Sequence, residues 1–215
     1  MKKLLLIAGL LFTFFQLFSQ ESALWMRYPA ISPDGTQIVF TYKGDIFKVS
    51  ANGGRAMQLT SHPAHDTNPV WSPDGSSIAF GSDREGSFDV YTMSADGGSP
   101  KRLTTYSGNE YPITFRDSEH ILFSARILPD QKYQEFPSGV FSQVYEVSTT
   151  GQRPILYSSL TMENIAFSKD KSKLLYHDKK GYEDPWRKHH VSSIARDIWL
   201  SDNGKYTKMT TFRGE

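Results

Sequence analysis

The sequence predicts an all-β fold, a β-propeller of four four-stranded blades, and three observations carry that expectation. One pattern recurs four times between residues 28 and 210. Each copy places turn-forming residues at the same two points along the unit. No stretch beyond residue 20 keeps apolar residues at the 3.6-residue spacing of an amphipathic helix.

The first two runs of each unit are the clearest. Tyr28–Phe40 aligns with Asn68–Phe80 without a gap, and Tyr111–Phe123 and Asn164–Tyr176 fall on the same frame. An aspartate holds the turn in every copy (Asp34, Asp74, Asp117, Asp170), and an aromatic closes the second run (Phe40, Phe80, Phe123, Tyr176). In the Ser-Pro-Asp-Gly versions, proline presets φ for the first central turn position and glycine accepts the positive φ that follows. The four aspartates therefore read as structural turn residues that bond the local backbone, not as a calcium or acid–base set. Pro29, Pro69 and Pro112 are expected at the start of the first strand, where a missing N–H removes no central ladder bond.

A third run opens at Asp45-Ile-Phe, Asp89-Val-Tyr, Gln143-Val-Tyr and Asp197-Ile-Trp, with those acids read as structural. A glycine turn (Asn52-Gly-Gly, Asp96-Gly-Gly, Thr150-Gly, Asn203-Gly) leads to a fourth run. That run ends at Leu59-Thr60, Leu103-Thr104, Ile155-Leu156 and Met209-Thr210. The blades are thus expected at about 28–60, 68–104, 110–156 and 163–210. A β-sandwich is the other all-β reading, but it does not require the same turn in each unit. Four units fit a closed four-bladed ring or an incomplete part of a larger one.

Composition narrows the function classes. Lys plus Arg number 24 against 23 Asp plus Glu, so the electrostatic footprint of a nucleic-acid binder is missing. With no cysteine, a disulfide scaffold, thiolate metal sites and a cysteine nucleophile are excluded, and no cofactor is expected. Met1-Lys2-Lys3 precedes Leu4–Phe18, apolar except for Thr13 and Gln16, and Ser19-Gln20-Glu21 follows. Residues 1–20 read as a signal peptide, which leaves 21–215 as an exported product, periplasmic or secreted, with no membrane attachment after leader removal. An uncleaved anchor helix is the alternative.

The combination of Ser-Pro-Asp-Gly, Asp-Val-Tyr, Gly-Gly and Leu-Thr resembles the WD40-like PD40 repeats of TolB and of the propellers of tricorn-type and prolyl-oligopeptidase-type serine proteases. Leu24–Val49, directly after the leader, and Gly181–Trp199 are similar to segments of exported bacterial tricorn protease homologues. The resemblance implies an N-terminal propeller of six blades, of which four are present, in an S41-type serine peptidase whose catalytic segments lie elsewhere. It also implies a role in gating or binding peptides, partners that are peptides or the protease's own downstream domains, and a homo-oligomer. No catalytic residue is carried over, and the chain alone is expected to be catalytically inactive. Two alternatives stay open: a TolB-like periplasmic protein-binding propeller without catalysis, and the propeller of a prolyl-oligopeptidase-type hydrolase.

One face should carry function, because the connection between second and third runs grows from unit to unit. It spans Thr41–Gly44, Gly81–Phe88, Ser124–Ser142 and His177–Arg196. The last insertion places Trp186, Arg187, His189, His190 and Arg196 close together, a candidate peptide- or domain-binding surface, with an ordinary solvated loop as the other reading. No metal site is expected, since the adjacent His189 and His190 would point to opposite sides of an extended chain. Ser192 or Ser193 with His190 and Asp197 has the residue types of a triad, but type without geometry does not make one.

Overall fold

The computed structural model describes residues 25–126, 142–178 and 196–211. The first sheet contains β1 (Arg27–Ile31), β2 (Gln37–Tyr42), β3 (Asp45–Ser50) and β4 (Met57–Gln58). The second contains β5 (Asp66–Trp71), β6 (Ser77–Ser82), β7 (Asp89–Ser94) and β8 (Lys101–Arg102). The third contains β9 (Glu110–Phe115), β10 (His120–Ala125), β11 (Gln143–Ser148) and β12 (Ile155–Ser158). The fourth contains β13 (Met162–Phe167), β14 (Lys173–Asp178), β15 (Ile198–Asp202) and β16 (Lys205–Lys208). Every sheet is an antiparallel meander of four consecutive strands, so the all-β, blade-by-blade expectation is met.

The first turn of each unit is a side-chain clasp. Ser32 Oγ donates to Asp34 Oδ1 at 2.5 Å, the same carboxylate oxygen accepts the Thr36 N–H at 3.1 Å, and Ser32 Oγ accepts the Gln37 N–H at 2.9 Å. Ser72, Asp74, Ser76 and Ser77 repeat it at 2.6, 3.1 and 2.9 Å. Ser168, Asp170, Ser172 and Lys173 repeat it at 2.6, 3.2 and 2.9 Å. Gly35 and Gly75 take φ of +74° and +73° there, while Lys171 adopts +62° in the fourth sheet. These bonds hold Asp34, Asp74 and Asp170 down at about 2, led in each case by the serine hydroxyl two residues earlier.

The third turn departs from the common frame. Arg116 N–H reaches His120 C=O across four residues, where Ser32 N–H reaches Gln37 C=O across five. Phe115 pairs with Ile121 as Ile31 pairs with Ile38, so the loop is one residue shorter than an ungapped alignment implies. Asp117 still holds the turn, accepting the N–H groups of Glu119 and His120 at 2.8 and 2.9 Å. Burial pushes the Asp117 carboxyl up, but these bonds and those from His120 and Arg116 together outweigh it and lower the value.

Asp74→Ala removes the acceptor of its clasp. The variant is expected to unfold at lower urea concentration than the parent. It should also lose part of the parent's destabilisation below pH 4, because a carboxylate held at about 2 contributes stability that disappears as pH falls towards that value. Circular dichroism titrations at pH 2.5 and pH 6 measure both.

The prolines sit differently from expectation. Pro29 and Pro69 lie inside β1 and β5, at bulges where the ladder skips from Arg27 to Ala30 and from Thr67 to Val70. Pro112 is the third residue of β9 and faces Phe123, next to a register shift. A bulge leaves one N–H out of the ladder, which is where proline is tolerated inside a strand. Tyr28, Asn68 and Asn164 take φ near +50° at the corresponding bulges of β1, β5 and β13.

Three buried clusters join the sheets in sequence. Val39, Ile46 and Leu59 of the first pack on Ile78, Phe80, Tyr91 and Met93 of the second. Ala79, Val90 and Leu103 of the second meet Phe115, Ile121, Phe123 and Tyr145 of the third. Leu122 and Val144 of the third meet Met162, Leu174 and Tyr176 of the fourth. Each interface is also stitched by a lysine: Lys48 to Ala95 C=O (2.6 Å), Lys101 to Thr150 C=O (2.9 Å) and Lys171 to Thr114 Oγ1 (3.3 Å). Among the described residues no buried cluster links the fourth sheet to the first, so the sheets form an open arc rather than a closed ring. Accordingly Leu175, Ile198 and Met209 are exposed, whereas their counterparts Val39, Ile46 and Leu59 are buried.

Candidate functional site

Strand alternation puts the starts of the first and third strands of every sheet on one face, together with the connections that lead into them. The connections between second and third strands span residues 43–44, 83–88, 126–142 and 179–197, so this face carries the insertions. Trp186, Arg187, His189 and His190 lie outside the described residues. Arg196, at the exit of the last insertion, pairs with Glu163 Oε2 at 2.6 Å. Next to it, Asp197 N–H and Trp199 Nε1 both donate to the Asp178 carboxylate at 2.7 and 2.9 Å, closing the base of that insertion.

The Leu-Thr ending has a defined role beneath this face. Thr60, Thr104 and Thr210 Oγ1 accept the N–H groups of Ile46, Val90 and Ile198 at 2.9, 2.9 and 3.2 Å. Asp45 and Asp197 in turn accept from the Thr60 and Thr210 hydroxyls at 3.4 and 2.8 Å, which fixes the start of the third strand against the end of the fourth. In the third sheet, where Gln143 replaces aspartate, Gln143 Nε2 reaches Ser159 C=O at 3.4 Å. There β12 runs on to Ser158, two residues past the expected blade end at 156, and Ile155, Leu156 and Tyr157 remain exposed.

Two features of this face escape sequence reading. The first is a buried acid pair between the second and third sheets. Asp89 at the start of β7 and Glu110 at the start of β9 are both fully buried. Arg102 Nη2 approaches Asp89 Oδ2 to 2.7 Å. Burial pushes Glu110 up to about 7, and the neighbouring Asp89 charge acts in the same sense. Burial also raises Asp89, with Arg102 opposing. The second feature is a cleft of about 410 Å³ lined by Trp25, Arg27, Thr41, Lys43, His62 and His65, among others.

Among the described residues no three His, Asp or Glu side chains converge as metal ligands, and no helix is long and apolar enough to cross a membrane. The described part of the insertion face offers ion pairs, aromatic side chains and a cationic cleft.

Consecutive four-stranded meanders packed face to face in an arc define a propeller repeat protein. The chain belongs to the tricorn protease N-terminal β-propeller domain family, whose model matches residues 23–215. It is 34% identical over 80 residues to "Tricorn protease homolog 1" of Streptomyces coelicolor, covering 37% of this chain and 7% of that protein. It is 32% identical over 111 residues to "Uncharacterized peptidase YuxL" of Bacillus subtilis, covering 46% of this chain and 17% of that protein. The aligned segments thus span less than a fifth of either relative. The tricorn protease crystal structure superposes with a TM-score of 0.64 at 21% identity, over 87% of this chain and 18% of that one. A putative TolB from Agrobacterium tumefaciens superposes with a TM-score of 0.62 at 22% identity, over 86% of this chain and 64% of that one. At these identities the two structures establish the propeller fold.

Proposed function

We propose that the chain is the N-terminal propeller portion of an exported tricorn-like serine protease, and that it binds or gates peptides for a catalytic region that it does not itself supply. The observation that supports this most is the family match from residue 23 to residue 215, which covers all four sheets. The insertion-bearing face, with Arg196 anchored at its edge, is the surface on which peptides or neighbouring protease domains dock. The apolar leader at residues 4–18 accounts for export.

The full chain, purified after export, is expected to retain fluorescently labelled unstructured peptides in anisotropy titrations while leaving them uncleaved. It should not react with a serine-directed fluorophosphonate. Peptide cleavage or probe labelling would overturn the accessory role, and a folded chain that retains no peptide would overturn gating.

A further inference from the structure

The cleft between the first sheet and the connection to the second has the chemistry of an oxyanion site. Arg27 and Thr41 are cross-strand partners at the end of the β1–β2 ladder, and Lys43 follows two residues on in the turn to β3. The opposite wall is the connection between the first two sheets, His62-Pro63-Ala64-His65. Four cationic or cation-capable side chains therefore converge from three segments. No aspartate or glutamate lines the cleft. The acids around it have partners of their own: Asp45 accepts from Gln58 Nε2 at 2.9 Å and from the wall's His62 N–H at 3.4 Å, Asp83 accepts the wall's His65 N–H at 2.7 Å, and Asp66 is held by Arg84 at 2.9 Å.

Among the described residues neither Arg27 nor Lys43 forms an ion pair. Both instead lie against aromatic faces, with the Arg27 guanidinium 5.2 Å from the Trp25 ring centre and Lys43 Nζ 5.3 Å from that of Tyr42. This arrangement pre-positions the cations without neutralising them. His62 Nδ1 accepts the Ala64 N–H at 3.0 Å, so the neutral ring carries its proton on Nε2, as a donor.

A separate observation points to a ligand. Thr41 is the one buried residue lining the cleft, only 3% exposed, and its Oγ1 has no hydrogen-bond partner. A buried hydroxyl without a partner is costly, and an oxygen acceptor seated between Arg27 and the His62–His65 wall would relieve that cost.

We infer that Arg27, Lys43, His62, His65 and the Thr41 hydroxyl form a binding site for a single oxyanion group, a carboxylate or a phosphate. Arg27 supplies a planar donor pair, Lys43 a point charge, and Thr41 the buried hydroxyl. A peptide C-terminus and free phosphate are the two sources of that chemistry, and only the first rests on the proposed peptide-binding role.

Isothermal titration of the full chain with inorganic phosphate at fixed ionic strength tests the site. One saturable site is expected. Arg27→Gln and Lys43→Gln are each expected to weaken it roughly tenfold, the loss of one charge-assisted contact. Both residues are exposed, so melting temperature should hold. Thr41→Val should also weaken binding, while the unliganded variant melts at the same temperature or higher because an unpartnered hydroxyl is gone. A purely structural Thr41 would not show that split. Competition of phosphate by an N-acetylated dipeptide acid, but not by its amide, identifies a peptide C-terminus as the ligand; competition by neither identifies phosphate. Absence of saturable phosphate binding, or undiminished binding by the Arg27→Gln/Lys43→Gln double variant, overturns the site and leaves the proposed peptide gating standing.

Discussion

Replacing Phe80 by alanine is expected to destabilise the chain by about 3–5 kcal/mol, the cost of emptying a large aromatic from a closed core. Phe80 is fully buried between the first and second sheets, among Val39, Ile46, Tyr91 and Met93. Its ring stacks on Tyr91 at 6.0 Å, and the Arg84 guanidinium lies 5.8 Å from it and 4.9 Å from Tyr91. Arg84 is itself fixed by two contacts to the buried Asp66, at 3.0 and 2.9 Å. Neighbours locked in this way collapse poorly into a void, so the loss should fall at the upper end. Phe47, stacked on Phe40 at 5.9 Å but only half-buried and outside the buried clusters, is the comparison. Phe47→Ala should cost less than half as much. Urea titrations followed by circular dichroism measure both, and equal losses would show that the interface between the first two sheets is not the main source of stability.

Glu110→Gln is expected to flatten the dependence of stability on pH and to stabilise the chain above neutrality. The folded chain holds Glu110 at about 7 against an ordinary value of 4.5, because burial disfavours its charge. For an acid whose folded value lies above its unfolded value, the unfolded chain binds fewer protons across that interval. Stability is then intact below about 4.5 and declines as pH rises towards 7. The decline is on the order of 3 kcal/mol if Glu110 titrates alone. Asp89 shares the site and is raised as well, with burial the leading cause and Arg102 opposing. Glutamine keeps the shape without a charge to desolvate, and Arg102 still pairs with Asp89. Melting temperatures from pH 4.5 to pH 8 should fall for the parent and fall less for the variant. Parallel curves would place the acid pair's protonation outside folding. The turn aspartates act with opposite sign and at lower pH, so the chain should be most stable in mildly acidic solution.

How much of this was legible depended on how local each feature is. Ser-Pro-Asp-Gly encodes its turn within a few residues, and Asp34, Asp74 and Asp170 each accept the hydroxyl of the serine two residues earlier. Asp117 kept the role in a loop one residue shorter, because Arg116 and His120 supply contacts that serine supplies elsewhere. The bulges at Pro29 and Pro69 were hidden, since an ungapped alignment records residue types but not which of them leave the ladder. Glu110, between Asn109 and Tyr111, carries no signal of burial in the repeat pattern. The structure buries it beside Asp89 of the preceding unit. The cationic cleft joins Arg27, Lys43 and His62–His65, which fall outside the repeated motif and meet only when the first sheet turns into the second. Of the residues singled out in the last insertion, Arg196 alone falls within the described chain, where it meets Glu163.

The meander order of the sheets bears on how the chain acquires its shape during synthesis. Each sheet draws all its ladder partners from one continuous stretch, and the buried clusters join only consecutive sheets. Among the described residues no early segment must wait for a late one before it can pair. Assembly can thus advance vectorially, each unit using its predecessor as a template, with the lysine bridges from Lys48, Lys101 and Lys171 acting as successive latches.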